Sequence, residues 1–177
     1  MGTHGLWGFI IASRRYACFS CYDSYPVGLG ADVVKFILSL EPEDYEEMAE
    51  LVDDITWLSE ARAESKPPVE IQEKYVKLGF ADAPAGDATF GSWSDLLHKR
   101  ENAVVLPMIQ TGELMHMVDS STFLHHSWCL WAYFIDFEQK KLETWEHSAR
   151  KPDEITFDDL IKCGLEGYLA RFKYTRS

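Results

Sequence analysis

Apolar residues cluster first at Leu6-Trp-Gly-Phe-Ile-Ile11, a run short enough for a strand, and residues 15–22 then alternate as a second strand would. The intervening Ala12-Ser-Arg14 must turn the chain. Pro26 and Gly28 stop the second strand, and Gly30 precedes residues 31–40, whose Val33, Val34, Phe36, Ile37 and Leu38 predict a short buried helix. Pro42 suits the first position of another helix, because it lacks only an N–H that would go unpaired there. In that helix Tyr45, Met48, Val52, Ile55 and Trp57 or Leu58 form an apolar stripe, with Glu50, Asp53 and Asp54 opposite. Glu43, Asp44, Glu46 and Glu47 suit the positive end of its dipole and read as a wet surface.

Residues 59–68, with Pro67-Pro68, read as a linker. Residues 68–78 follow as a third helix closed by Gly79, and residues 81–92 as a loop. Ser92 or Ser94 caps a short helix through Leu97. Residues 103–118 mix extended and helical signals. Residues 128–137 are apolar on both faces and predict a central strand covered on both sides, and residues 142–147 complete a second hairpin. Thr156 and Asp159 have capping-box spacing before a last helix carrying Phe157, Leu160, Ile161, Leu165, Tyr168, Leu169 and Phe172. Hairpin, helices, hairpin and helix predict an α+β fold, two antiparallel β-hairpins forming a sheet packed against several α-helices.

The 177 residues suit one compact domain, residues 1–177, and 46% apolar with 14% aromatic composition describes a globular chain. A net charge of −12 opposes binding to nucleic acid, whose affinity comes largely from Lys and Arg. His98-Lys-Arg100 and the basic residues of 171–176 sit beside acids and read as solvated surface charge. No apolar stretch approaches the roughly 20 residues that cross a bilayer, so no membrane partner is expected. Without a secretory signal, Cys18, Cys21, Cys129 and Cys163 are expected to be free thiols and the protein cytoplasmic.

Three blocks carry a resemblance: Met1-Gly-Thr-His-Gly5; Ser20-Cys-Tyr-Asp-Ser-Tyr-Pro-Val-Gly-Leu-Gly30; and Cys129-Leu-Trp-Ala-Tyr-Phe-Ile135 followed by Leu142-Glu-Thr-Trp145. In order and spacing they resemble a family of uncharacterised proteins, common in fungi and also seen in viruses, that begin Met-Gly-Thr-Arg-Gly and continue with Asn-His-x-Asp-Ser-Tyr-Pro. This chain departs from that pattern at His4, Ser20, Cys21 and Leu130, where the family has Arg, Asn, His and Glu. Glycines, aromatics and turns are kept while polar identities change. The resemblance therefore implies either a different chemistry from the family's or none.

If Ser13-Arg14 are the central turn residues, Ala12 pairs with Arg15 and His4 falls opposite Asp23, with Cys21 on the same face. Thiol, imidazole and carboxylate would then share a patch, a candidate catalytic group in which His4 takes the Cys21 proton and Asp23 orients it. A buried, inert Cys21 and a turn-stabilising Asp23 are the competing reading.

Cys18-Phe-Ser-Cys21 lies in a strand, where residues three apart face opposite ways, which disfavours a metal or redox pair. Adjacent His125 and His126 would likewise diverge on a strand, and His116 and His147 lack paired spacing; no metal is expected. Trp131 and Tyr133 share one face of the central strand, and Trp145 on its partner strand completes a candidate aromatic wall, with core packing as the alternative. Tyr25 and the Gly28-Leu-Gly30 elbow at a helix start are further candidates for binding a ligand, through free N–H groups at the glycines. The elbow lacks the rest of a dinucleotide or phosphate-loop pattern, so no cofactor is expected.

Two functions fit these residues. One is an enzyme acting on a small molecule, with a thiol-based site between the hairpins. The other is a non-catalytic ligand-binding or protein-interaction module that has lost the family's polar groups.

Overall fold

A computed structural model of the chain describes residues 2–86, 89–147 and 149–172. Met1 and most of the basic C-terminal run lie outside the described residues. In chain order the elements are β1 (Gly5–Ile11), β2 (Arg14–Ser20), α1 (Ala31–Ser39), α2 (Asp44–Asp53), β3 (Thr56–Ser59), α3 (Glu60–Ala63), α4 (Val69–Lys77), α5 (Trp93–Leu96), α6 (Leu106–Gln110), β4 (His116–Asp119), β5 (Trp131–Asp136), β6 (Lys141–Glu146), β7 (Asp153–Thr156) and α7 (Phe157–Leu169). The molecule is a single α+β domain.

Five strands form one sheet in the order β2-β1-β5-β6-β7. Both expected hairpins are present, β1 with β2 and β5 with β6, and β1 joins β5 in parallel, Gly5 opposite Trp131 and Phe9 opposite Ile135. That parallel pair is buried along its whole length, as near-continuous apolar strands require. The inner face, with Trp7, Phe9, Ile11, Trp131, Tyr133 and Ile135, packs under the helices in the main core. Leu6, Ile10, Ala17, Ala132, Phe134 and Cys129 form a smaller cluster on the outer face. A 3-10 turn over Ser121–His125 covers part of that outer face.

Three local expectations change. The second helix ends at Asp53, and Thr56–Ser59 instead pairs in parallel with His116–Asp119 as a small second sheet. Thr56, Trp57 and Leu58 prefer an extended, half-buried surface, and residues distant in sequence supply the partner. Ser120 N–H donates to the Ala17 carbonyl at 2.7 Å, which ties this small sheet to β2. The 59–68 linker contains α3, whose Ser59 hydroxyl accepts the Arg62 N–H at 3.3 Å. The expected cap of α7 is present, with the Thr156 hydroxyl accepting the Asp159 N–H at 3.1 Å; the helix breaks at Gly164, where φ is 65°.

Candidate functional site

The first hairpin turns one residue earlier than expected. Its central residues are Ala12 and Ser13, with φ of 48° and 65°, the left-handed pair that a two-residue type I′ turn requires. Ile11 therefore faces Arg14 and Gly5 faces Ser20, a register that carries His4 opposite Cys21 rather than Asp23. Pairing stops at Ser20, and beyond it the three candidate catalytic residues have different partners. The Cys21 thiol donates to Oε2 of Glu101 at 3.2 Å. The His4 ring stacks between Phe19 and Trp128, with centroids 5.4 and 6.4 Å away, and its Nδ1 is buried without a partner among the described residues. The Asp23 carbonyl accepts the Leu29 N–H at 2.9 Å.

These contacts bear on thiol chemistry. Burial, followed by the hydrogen bond and negative charge of Glu101, pushes the Cys21 thiol above its ordinary value. A base beside it would act in the opposite sense. Cys18 and Cys129 are pushed up to about 12, chiefly by burial. All four cysteines are free, and Cys163 is exposed.

The Tyr-Pro elbow is a packing device. Gly28 and Gly30 N–H groups both donate to the Tyr25 carbonyl, at 3.0 and 3.3 Å, so they are not free to hold an anion. A Cβ at Gly28 would lie 2.6 Å from the carboxyl carbon of Asp23, and one at Gly30 would lie 2.8 Å from the Tyr133 ring. The Tyr133 hydroxyl donates to the Ser24 carbonyl at 2.8 Å, and a Cβ on Gly5 would lie 2.6 Å from the Ser24 side chain. Gly5, Asp23, Ser24, Gly28, Gly30 and Tyr133 thus lock the end of the first hairpin onto β5. These same residues carry much of the resemblance.

The aromatic wall divides. Trp131 and Tyr133 lie buried on the inner face in the main core, where Trp131 meets Phe172, just past the end of α7, edge-on at 5.6 Å. Trp145 is paired with Ala132 and therefore lies on the outer face. There its indole N–H donates to Glu143 at 3.2 Å, and the Arg15 guanidinium stands 5.2 Å from its ring centre. Arg15 also binds Glu143 through two nitrogens, at 2.9 and 3.1 Å.

Over this outer face the loop after the 3-10 turn is held by a closed circuit of rings. Phe19 meets Phe123 at 5.1 Å, Phe123 stacks on His126 at 5.0 Å, His126 meets Trp128 at 5.9 Å, and Trp128 returns through His4 to Phe19. Beside the circuit lies a cavity of about 340 Å³ lined by Leu124, His125, His126, Cys129, Trp145 and His147, with Ala132 and Glu146 among its other walls. His125 stands edge-on to Trp145 at 6.2 Å.

His125 and His126, expected to face opposite ways on a strand, both line this cavity together with His147; Ser121–His125 is a 3-10 turn and not a strand. Among the described residues no three His, Cys, Asp or Glu side chains are placed to share a metal ion. His116 lies elsewhere, with its Nδ1 2.5 Å from the Tyr75 hydroxyl. Neither the Cys21–Glu101 contact nor the placing of His125, His126 and His147 in one cavity lining had a local sequence signal, since both join residues distant in sequence.

No helix among the described residues is long and apolar enough to cross a membrane. The chain matches no family model, no curated protein and no solved structure.

Proposed function

We propose that this protein is a non-catalytic binding module for a flat heteroaromatic small molecule, held on the outer face of the sheet. The observation that carries this reading is a cavity of about 340 Å³ whose lining includes His125, His126 and His147 together with the Trp145 indole. That volume lies in the range of small-molecule sites. An indole offers a rigid apolar wall, and a neutral imidazole offers one donor and one acceptor. The edges of His125 and His147 beside one indole suit a planar ligand with hydrogen-bonding groups around its rim, while His126, whose Nδ1 accepts the Trp128 N–H at 3.2 Å, completes the wall.

The thiol in the cavity lining is not activated. That thiol, Cys129, donates to the Trp131 carbonyl at 3.7 Å and stays neutral, its pKa pushed up to about 12 by burial. Cys21, the candidate nucleophile, is partnered by an acid. Binding without bond breaking accounts for both.

A thermal-shift screen of heteroaromatic metabolites tests this, since a ligand that binds only the folded chain raises the midpoint. Hits should lose their effect in Trp145→Leu and weaken in His147→Ala. A hit whose shift survives both substitutions would place binding elsewhere and overturn the reading.

A further inference from the structure

A second cavity, of about 350 Å³, lies between the end of β2, β4, α3 and α5, and shares no lining residue with the first. Phe19 and Phe123 form an apolar wall, Arg100 contributes a cation, and Glu60, Glu64 and Ser94 line the remainder.

Arg100 is half-buried and forms none of the ion pairs found among the described residues, in a chain with 29 acids against 17 bases. Its backbone is held in place, because the Arg100 carbonyl accepts the Trp7 indole N–H at 2.9 Å. One guanidinium nitrogen donates to the Ser94 carbonyl at 3.1 Å. The neighbouring anions are engaged elsewhere. Glu101 takes the Cys21 thiol, and Asp119 accepts the Ala17 and Ser121 N–H groups and faces Arg14 at 3.9 Å. Burial keeps the Cys18 thiol neutral despite the charge of Arg100. A guanidinium has five N–H donors in a fork that matches a carboxylate, and most of this fork is unused.

The opposite lining is acidic. Glu60 and Glu64 are exposed, and the Ser94 hydroxyl donates to Glu64 Oε1 at 3.2 Å. A simple anion would meet the field of these two carboxylates, and a simple amine would meet Arg100. A molecule carrying both charges satisfies both ends. We propose that this cavity binds a free amino acid with an apolar side chain, its carboxylate on Arg100, its ammonium on Glu60 and Glu64, and its side chain against Phe19 and Phe123.

The test is calorimetric titration of the full chain with L-phenylalanine, 3-phenylpropionate, which lacks the ammonium, and phenethylamine, which lacks the carboxylate. Ring signals of Phe19 and Phe123 are followed by NMR in parallel. L-Phenylalanine should bind and move both ring signals, and each analogue should bind about tenfold or more weakly. Arg100→Gln should weaken L-phenylalanine about tenfold. Because Arg100 also holds the Ser94 carbonyl, the exposed pair Glu60→Gln/Glu64→Gln supplies a second variant, which should bring L-phenylalanine and 3-phenylpropionate toward equal affinity. No binding of L-phenylalanine at millimolar concentration would overturn the proposal. So would equal binding of 3-phenylpropionate to the unaltered protein, or a double variant with unchanged preference.

Discussion

Cys21 and Glu101, 80 residues apart in sequence, meet at 3.2 Å, and the thiol donates to the carboxylate. An acid beside a thiol opposes its ionisation, as does the partial burial of Cys21. In a Cys163→Ser background, Cys21 should therefore react with iodoacetamide more slowly than a free cysteine at mildly alkaline pH. Glu101→Gln should raise that rate severalfold. A fast, Glu101-independent reaction would restore Cys21 as a candidate nucleophile.

Glu143 is nearly fully buried, and its carboxylate takes two nitrogens of Arg15 together with the Trp145 indole N–H. Arg15→Met leaves that carboxylate short of partners and should cost about 2 kcal/mol in urea unfolding, with Lys141, 3.9 Å away, limiting the loss. The double variant Arg15→Met/Glu143→Leu should recover most of it. A double variant no more stable than the single one would show that the ion pair is not the cause.

Gly30 and the Tyr133 ring approach too closely for a Cβ, and the ring is held by the hydroxyl bond to Ser24. Gly30→Ala should destabilise the fold by about 1–3 kcal/mol through overpacking. Tyr133→Phe, which removes only the hydrogen bond, should cost about 1 kcal/mol. Chemical denaturation of the two variants checks the order.

Burial, followed by the positive charge of Lys74, lowers the His116 pKa from its ordinary 6.5. Between that lowered value and 6.5 the unfolded chain binds more protons than the folded one. The contribution of His116 is therefore complete above 6.5 and is lost as pH falls from 6.5 toward the folded value. Urea midpoints measured on either side of pH 6.5 should fall on acidification, and His116→Gln should fall less. Equal slopes for the two proteins would assign the dependence to other groups.

What the sequence reveals follows the range of the interactions involved. The cap at Thr156, the buried α1 and the doubly covered β5 depend on residues near in sequence or on unmistakable apolar runs, and all three are found as expected. Turn position is subtler. Ala12 and Ser13 adopt positive φ although neither is glycine, and that one-residue displacement moves His4 from Asp23 to Cys21. Beyond the last paired residue, alternation no longer predicts direction, so Cys21 meets Glu101. The division of the aromatic wall was implicit in the pairing of Ala132 with Trp145, a register that sequence alone does not specify. The placing of His125 and His126 beside His147 in one cavity lining depends on residues 121–130 folding over the sheet.

The proposed site for the heteroaromatic ligand is the outer-face cavity around Trp145. NMR of the ring carbons of the six histidines, during titration with a heteroaromatic hit from the thermal screen, tests it most directly. Signals of His125, His126 and His147 should move together and saturate, while His98 and His116 stay in place. Movement of His116 or His98 with the cavity trio unchanged would contradict the account.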